Sequence, residues 1–142
     1  MTIINIGTTS FHKIGKGLIS KQFGLAIQSH INENETEVKV AKEMFPDCKD
    51  YLGVYEDAGL LGPRSLLAHS IFTTDDEYKR MASSGTSGKL IQYEIRLENI
   101  YLAIHCPDSN IQLMSGLFNG QKIESFGVNI GLGTDVGTES NF

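Results

Sequence analysis

Three histidines and one aspartate each follow a short apolar run, and they are the side chains of this chain best suited to chemistry: His30, His69, His105 and Asp135. Imidazole nitrogen and carboxylate oxygen are ligands that zinc accepts in proteins. A zinc ion with one open position lowers the pKa of water toward neutrality and makes it a nucleophile. A single histidine at a strand end is more often a hydrogen-bonded structural group than a ligand. The recurrence at successive strand ends nevertheless predicts a metal-dependent site.

Glu33 stands three residues after His30, in the loop that follows the first of these runs. A metal ion held at His30 would place water within reach of this carboxylate, which could then transfer protons. An acidic side chain near the start of a helix also stabilises the helix dipole. The residue taken alone is compatible with both roles.

Strands and helices are predicted to alternate along the chain. The predicted strands cover 25–29, 65–69, 104–107 and 128–132, and the predicted helices cover 11–23, 37–45, 74–85 and, weakly, 116–126. Residues 50–62 are predicted to be mixed and rich in turns, and Glu77 stands at capping-box distance from Thr74. Alternating strands and helices predict an α/β fold with a parallel sheet. In a βα barrel, polar residues at strand ends meet at the carboxyl-terminal mouth, where active sites are assembled.

Composition excludes several classes of protein. The 142 residues carry a net charge of -5 and are 40% hydrophobic, which predicts one globular domain that binds no nucleic acid. No apolar stretch approaches the roughly 20 residues that span a bilayer. The first ten residues lack a secretory signal pattern, so a cytoplasmic location is predicted. Cys48 and Cys106 are expected to be reduced thiols.

Four segments resemble, in order, motifs of the guanine deaminases, which belong to the zinc-dependent amidohydrolases. The segments are QSHINEN at 28–34, AH at 68–69, HCPDSN at 105–110 and GLGTDVG at 131–137. Amidohydrolases in general share the histidine and aspartate positions. The Gln-Ser pair before His30, the Glu-Asn pair that follows it and the Thr-Asp-Val sequence at 134–136 are similar to guanine deaminases in particular.

This resemblance implies hydrolysis of guanine to xanthine and ammonia on a TIM-like (β/α) barrel with one zinc ion. His30 and Asp135 would be metal ligands, and Asp135 would also be the general base. Glu33 would pass a proton to the ring nitrogen and the leaving amine, while His69 would orient water or substrate. These four residues are also the predicted substrate-binding set. Residues 105–110 are expected to form a pocket wall, or a turn that caps backbone groups at a strand end.

The chain also departs from the family pattern. It corresponds to about the last four βα units of the barrel, with 1–10 unmatched, so 1–142 is interpreted as one partial domain truncated at both ends. The His-x-His pair of the family is absent, because the fourth histidine, His12, stands alone. Segment 88–102 has no counterpart and is interpreted as an insertion or a translated intron. Two metal ligands are therefore missing, and the isolated chain is expected to turn over guanine negligibly.

Other functions are compatible with parts of the sequence. The chain could be a non-catalytic fragment, or it could derive from an amidohydrolase that deaminates or dechlorinates a different ring. A nucleotide-binding loop at Gly131-Leu132-Gly133 is disfavoured, because Val136 stands where the third glycine of that motif belongs. The guanine deaminase resemblance further implies a homodimer that acts on a small purine.

Overall fold

The computed structural model describes residues 3–6, 11–84 and 102–135, with five strands and six helices. The strands are β1 (Ile3–Ile6), β2 (Ala26–Ile31), β3 (Ser65–His69), β4 (Leu102–His105) and β5 (Asn129–Leu132). The helices are α1 (Phe11–Phe23), α2 (Glu35–Met44), α3 (Tyr51–Asp57), α4 (Asp75–Ser84), α5 (Pro107–Gln112) and α6 (Gly120–Ser125).

The strands form one parallel sheet in the order β1-β2-β3-β4-β5, so each strand pairs with its neighbours in sequence. The predicted α/β class is therefore confirmed. The register places Ile31 beside His69 and His105 beside Leu132. Because parallel strands point the same way, the polar residues that follow them are brought to one edge of the sheet.

Strand β1 was not predicted, and the sheet consequently has one strand more than the four expected. Its four residues are too few to show the alternation of a strand in the sequence. The strand is defined by its pairing with β2, in which Ile3 lies beside Ala26 and Ile6 lies beside Ser29. His12 lies in α1. Residues 7–10 and 85–101 lie outside the described residues. Most of the predicted insertion at 88–102 therefore also lies outside them. Leu102, its last residue, belongs to β4 and pairs with Leu66 and Asn129.

Helix α3 occupies a region predicted to be rich in turns. Asp50 begins it, since its side chain accepts a hydrogen bond from the backbone N–H of Gly53 at 2.9 Å. All residues from Tyr51 to Tyr55 are buried. A helix that is apolar on every side lacks the periodic pattern from which helices are recognised in a sequence.

The strand predicted at 104–107 ends two residues earlier, and α5 starts in its place at Pro107. Proline has no N–H to donate to a sheet, whereas its fixed φ suits the first turn of a helix. The capping box of α4 is confirmed, because Glu77 N donates to Thr74 Oγ1 at 3.3 Å and Thr74 N donates to Glu77 Oε2 at 2.8 Å.

The core lies where the helices pack on the sheet. Its largest fully buried apolar members come from β2, α3, β3, α4, α6 and the turn after α3: Ile31, Leu52, Tyr55, Leu60, Leu67, Met81 and Ile123. Burying one such side chain contributes about 1.5–3 kcal/mol relative to leaving it exposed. Among the described residues, no helix combines the length and apolarity needed to cross a membrane.

Candidate active site at the carboxyl edge of the sheet

Four side chains predicted to act together meet at the carboxyl edge of the sheet. His30 Nε2 lies 3.6 Å from Asp135 Oδ1, and His69 Nε2 lies 3.5 Å from Asp135 Oδ2 and 3.8 Å from Glu33 Oε2. The two imidazole rings are perpendicular, with their centroids 4.9 Å apart. His69 is completely buried, whereas the side chain of His30 is 42% exposed. The cluster therefore has a closed side at β3 and an open side at β2.

The backbone turns sharply at the strand ends that carry these residues. Asn32, His69, Ser70 and Asp135 have φ values of 51°, 68°, 51° and 61°, a region that residues other than glycine adopt at a cost. Such conformations are retained where the surrounding structure fixes them, and they concentrate at functional sites. Here Asn32 O accepts hydrogen bonds from the backbone N–H groups of two residues after β3, at 3.0 and 2.9 Å.

The buried carboxylate of Glu77 holds the loop after β2 and the residues before α4 by hydrogen bonds. Its Oε1 accepts hydrogen bonds from Asn32 Nδ2 at 3.2 Å and Leu52 N at 3.3 Å, and its Oε2 accepts from Thr74 N and Thr74 Oγ1. Asn32 Nδ2 also donates to Thr73 Oγ1 at 3.0 Å. The network ties the loop of Glu33 to the start of α4.

Three side chains between 109 and 115 contact three of the site residues. Asn110 Oδ1 lies 2.8 Å from His69 Nδ1, Ser109 Oγ donates to Asp135 Oδ2 at 2.8 Å, and Ser115 Oγ donates to Glu33 Oε1 at 2.8 Å. All three are buried: Ser109, Asn110 and Ser115. These hydrogen bonds restrict the orientation of each partner.

His105 lies beside the cluster rather than in it. Its ring stacks on Phe118, with centroids 4.4 Å apart and 9° between the planes, and its Nδ1 is 3.4 Å from Asn110 Nδ2. Burial and the neighbouring His69 lower the pKa of His105 below its ordinary value, so the neutral ring is favoured. The next residue, Cys106, is buried among acidic groups, and burial raises the pKa of its thiol to about 11. The thiolate needed for a nucleophilic role is therefore disfavoured.

The donor atoms suit a zinc ion. Ligand atoms of His30, Glu33 and His69 all lie within 4.8 Å of one another, and Asp135 adds its carboxylate to both imidazoles. His69 Nε2 is buried without a hydrogen-bond partner among the described residues, a costly state unless a further group binds there. Two imidazoles with two carboxylates match the preference of zinc for nitrogen and oxygen ligands.

The sequence led to His30, Glu33, His69 and Asp135 but not to the residues that support them. The supporting set comprises Asn32, Glu77, Ser109, Asn110 and Ser115. Within the HCPDSN segment, the expected wall or turn understated their contribution, because Ser109 and Asn110 contact Asp135 and His69 directly. One feature of the sequence could have indicated the role of Ser109 and Asn110. Both are polar, yet they lie in a helix that begins at Pro107 and buries them, and buried polar side chains need hydrogen-bond partners.

Comparison with known proteins identifies the family of this chain. Residues 8–142 match the amidohydrolase family. The chain is 40% identical over 124 residues to the Schizosaccharomyces pombe protein named "Probable guanine deaminase", covering 86% of this chain and 20% of that protein. It is 36% identical over 120 residues to the guanine deaminase of Homo sapiens, covering 84% of this chain and 23% of that enzyme. The chain thus spans less than a quarter of the length of these two relatives.

Solved structures share the architecture. The E. coli guanine deaminase structure superposes with a TM-score of 0.76 at 27% identity, covering 92% of this chain and 27% of that one. The guanine deaminase from C. acetobutylicum with bound guanine gives a TM-score of 0.76 at 28% identity, covering 92% and 28%. The parallel sheet and its helices are therefore part of a TIM-like barrel, and the chain belongs to the amidohydrolase family.

Proposed function

We propose that this chain supplies part of the active site of a zinc-dependent guanine deaminase, which hydrolyses guanine to xanthine and ammonia. The observation that carries the proposal is the convergence of His30, Glu33, His69 and Asp135 at one sheet edge. The similarity to guanine deaminases, one of them solved with guanine in its active site, supports the choice of substrate.

His30 and Asp135 are the proposed metal ligands, and zinc when bound supplies Lewis-acid activation of water. Asp135 withdraws a proton as the water oxygen bonds to the carbon that carries the amine. Glu33 gives its proton to the ring nitrogen, then takes the remaining proton of the former water from the new hydroxyl group and passes it to the amine. The carbon–nitrogen bond then breaks, ammonia leaves and the water oxygen becomes a carbonyl of xanthine, while the proton held by Asp135 restores Glu33 for the next cycle. His69 orients water or substrate from the buried side of the cluster.

The Ser115 hydroxyl supports this role of Glu33. It donates to Oε1 at 2.8 Å, while Oε2 faces His69 Nε2 at 3.8 Å. One carboxylate oxygen is thus held by the protein, and the other is directed toward the place where the reacting groups would meet. Proton transfer of this kind contributes typically 10²–10⁴-fold to the rate.

Zinc binding tests the metal part of the proposal. In equilibrium dialysis against zinc, the chain is expected to retain about one ion, and His30→Ala and Asp135→Asn are each expected to weaken binding by about tenfold or more. Glu43→Gln is the matched control, because it removes an exposed carboxylate that pairs with Lys39 on α2. Equal zinc affinity in His30→Ala and the unsubstituted chain would contradict the proposed ligand set.

Turnover tests the reaction. The four histidines include no His-x-His pair, so the chain alone is expected to form negligible xanthine with added zinc. A chimera in which this chain replaces the matching segment of the E. coli enzyme, 32% identical over 116 residues, is expected to release ammonia from guanine. Glu33→Gln in the chimera should lower kcat by about 10²–10⁴-fold.

Glu43→Gln is the control in the same chimera, because the Glu43 side chain is exposed and pairs only with Lys39 on α2 among the described ion pairs. A folded, zinc-loaded chimera that leaves guanine unchanged but hydrolyses another ring would overturn the substrate assignment. Assembly as a homodimer, a cytoplasmic location and a place in purine catabolism complete the proposal. Light scattering of the zinc-loaded protein tests the first of these.

A further inference from the structure

We propose that Asn110 is a positioning residue that holds the proton of the His69 ring on Nδ1, so that Nε2 presents its lone pair to the centre of the site. Its importance for catalysis rests on the proposed function, but the arrangement itself does not. It assigns a role to the HCPDSN segment, which contributes none of the four clustered side chains.

The side chains of Asn110 and His69 are in direct contact. Asn110 Oδ1 lies 2.8 Å from His69 Nδ1, with the two residues 2% and 0% exposed. A carboxamide oxygen can only accept a hydrogen bond, so the ring nitrogen must donate. Which nitrogen of a histidine carries the proton is set by the bond that the other nitrogen makes.

A second partner, His105, fixes the orientation of the Asn110 carboxamide. Asn110 Nδ2 points toward His105 Nδ1 at 3.4 Å, and an amide nitrogen can only donate. His105 therefore acts as an acceptor at Nδ1, and the stack on Phe118 fixes the plane of its ring. If the carboxamide were reversed, its oxygen would face His105 and its nitrogen would face His69, which would reverse both proton positions.

The backbone of Asn110 is held at both of its hydrogen-bonding groups. Its N–H donates to Cys106 O at 2.9 Å, and its carbonyl accepts from Ser115 N at 2.9 Å. The side chain therefore starts from a fixed point. The sequence of contacts runs from Phe118 through His105 and Asn110 to His69.

Two carboxylates on the other side of the His69 ring favour the opposite position of the proton. Nε2 lies 3.5 Å from Asp135 Oδ2 and 3.8 Å from Glu33 Oε2, and both oxygens would attract a proton to that nitrogen. Asn110 opposes them. Removing its oxygen should consequently move the proton of the neutral ring from Nδ1 to Nε2.

The test is long-range ¹H–¹⁵N NMR of the chain labelled with ¹⁵N-histidine, at about pH 9, where imidazole side chains are generally neutral. We expect the His69 signals of a ring protonated at Nδ1. In Asn110→Leu, we expect the same ring to be protonated at Nε2. A bare Nδ1 in the unsubstituted chain, or an unchanged tautomer in a folded Asn110→Leu, would overturn the proposal.

A second variant covers the case in which Asn110→Leu does not fold. Asn110→Asp keeps an acceptor opposite Nδ1 and loses the donor to His105, so His69 should keep its proton on Nδ1; its transfer to Nε2 would refute the proposal. Asn119→Ala is the matched control, because Asn119 caps α6 through Lys122 N and its loss should leave the His69 signals in place. None of these readouts requires zinc or guanine, so failure of the proposed function would be seen separately, in dialysis and turnover.

Discussion

At the scale of single residues, Glu77 shows how a side chain outside the site determines its shape. The residue is 3% exposed, and both carboxylate oxygens accept two hydrogen bonds each. One donor is Asn32, which occupies a left-handed conformation directly before Glu33. A buried charge is tolerated only when it is satisfied in this way. The strained turn and its buried acceptor therefore depend on each other.

Glu77→Gln is expected to reduce the free energy of unfolding by about 1–3 kcal/mol. The amide nitrogen of glutamine would meet a donor on one side, leaving a buried polar group unsatisfied. Urea denaturation followed by circular dichroism measures the loss. Glu43→Gln provides the comparison, since that carboxylate is 65% exposed and its pair with Lys39 at 4.0 Å contributes little. An equal effect in the two variants would argue against the network.

At the scale of elements, the loop after α5 is fitted closely against the end of β3. Gly116 has φ +134°, and a methyl group at its Cα would lie 2.9 Å from Ile71 Cγ2. The preceding Met114 has φ 50°. These two conformations place Ser115 between them, where it reaches Glu33. The loop thus needs a residue without a side chain at 116.

Gly116→Ala is expected to destabilise the protein by about 1–3 kcal/mol, because it combines an unfavourable φ with a close contact. In the chimera, kcat should fall in the same variant, because the displaced loop moves Ser115 away from Glu33. Thermal unfolding and guanine turnover measure the two effects. Gly62→Ala is the matched control, since a methyl group there would meet nothing within 4 Å and its φ is ordinary. Similar melting temperatures for the two variants would contradict the strain.

Tyr78 on α4 links helix stability to alkaline pH. Its hydroxyl donates to Ser70 O at 2.8 Å, and burial, assisted by the charges of Glu77 and Asp75, raises the pKa of Tyr78 to about 12. The folded pKa lies above the ordinary value of 10.0, so the neutral phenol stabilises the fold. This contribution is fully present below about pH 10 and is lost as the pH rises through about 12.

Tyr78→Phe should therefore lower the free energy of unfolding by about 1 kcal/mol at neutral pH, through loss of the hydrogen bond. It should also make stability less dependent on pH between about 10 and 12. Urea titrations at several alkaline pH values measure both. The stack on Phe126, with centroids 5.5 Å apart, is kept in the variant and serves as an internal control for packing. An unchanged alkaline slope would contradict the role of this phenol.

At the scale of the whole molecule, the described sheet begins with β1 and finishes with β5, each paired on one side only. On β5, Leu132 is 80% exposed, and in the loop after α5 Met114 and Leu117 are each 89% exposed. An edge strand with unpaired backbone groups and apolar side chains favours association between chains.

Leu132→Lys is accordingly expected to reduce concentration-dependent association of the isolated chain, because a charge at a sheet edge opposes strand pairing. Analytical ultracentrifugation over a range of concentrations measures the change. Leu18→Lys adds the same charge to α1, where the leucine is 66% exposed, and should have less effect. Equal reduction by both variants would indicate that net charge rather than the edge controls association.

The parts of the fold that follow local chemistry were predictable from the sequence. Apolar runs with polar ends led to β2, β3 and β5, and the Thr74–Glu77 pair gave the start of α4. The four clustered residues were predictable because each lies within three residues of the carboxyl end of a strand. The elements that were missed depend on tertiary structure: β1 exists through pairing with β2, and the first five residues of α3 are all buried.

The supporting hydrogen bonds were beyond prediction for the same reason. Ser115 and Glu33 are far apart in sequence and meet only because β2 and β4 belong to one sheet. The segment from 109 to 115 therefore makes one hydrogen bond to each of three site residues from other parts of the sheet edge. The spacing of residues along the chain does not indicate which hydroxyl group will contact which carboxylate.

Each of three residues in this segment orients a different site residue, and this affects how genetic variants of the region should be interpreted. A substitution at Ser109, Asn110 or Ser115 would produce the defect of a different residue: Asp135, His69 or Glu33, respectively. Paired substitutions within each couple should be less harmful than the sum of the single ones, because the second change removes a partner already lost. Segment 105–115 would then be inherited, exchanged or grafted as one block, together with the three residues that it orients.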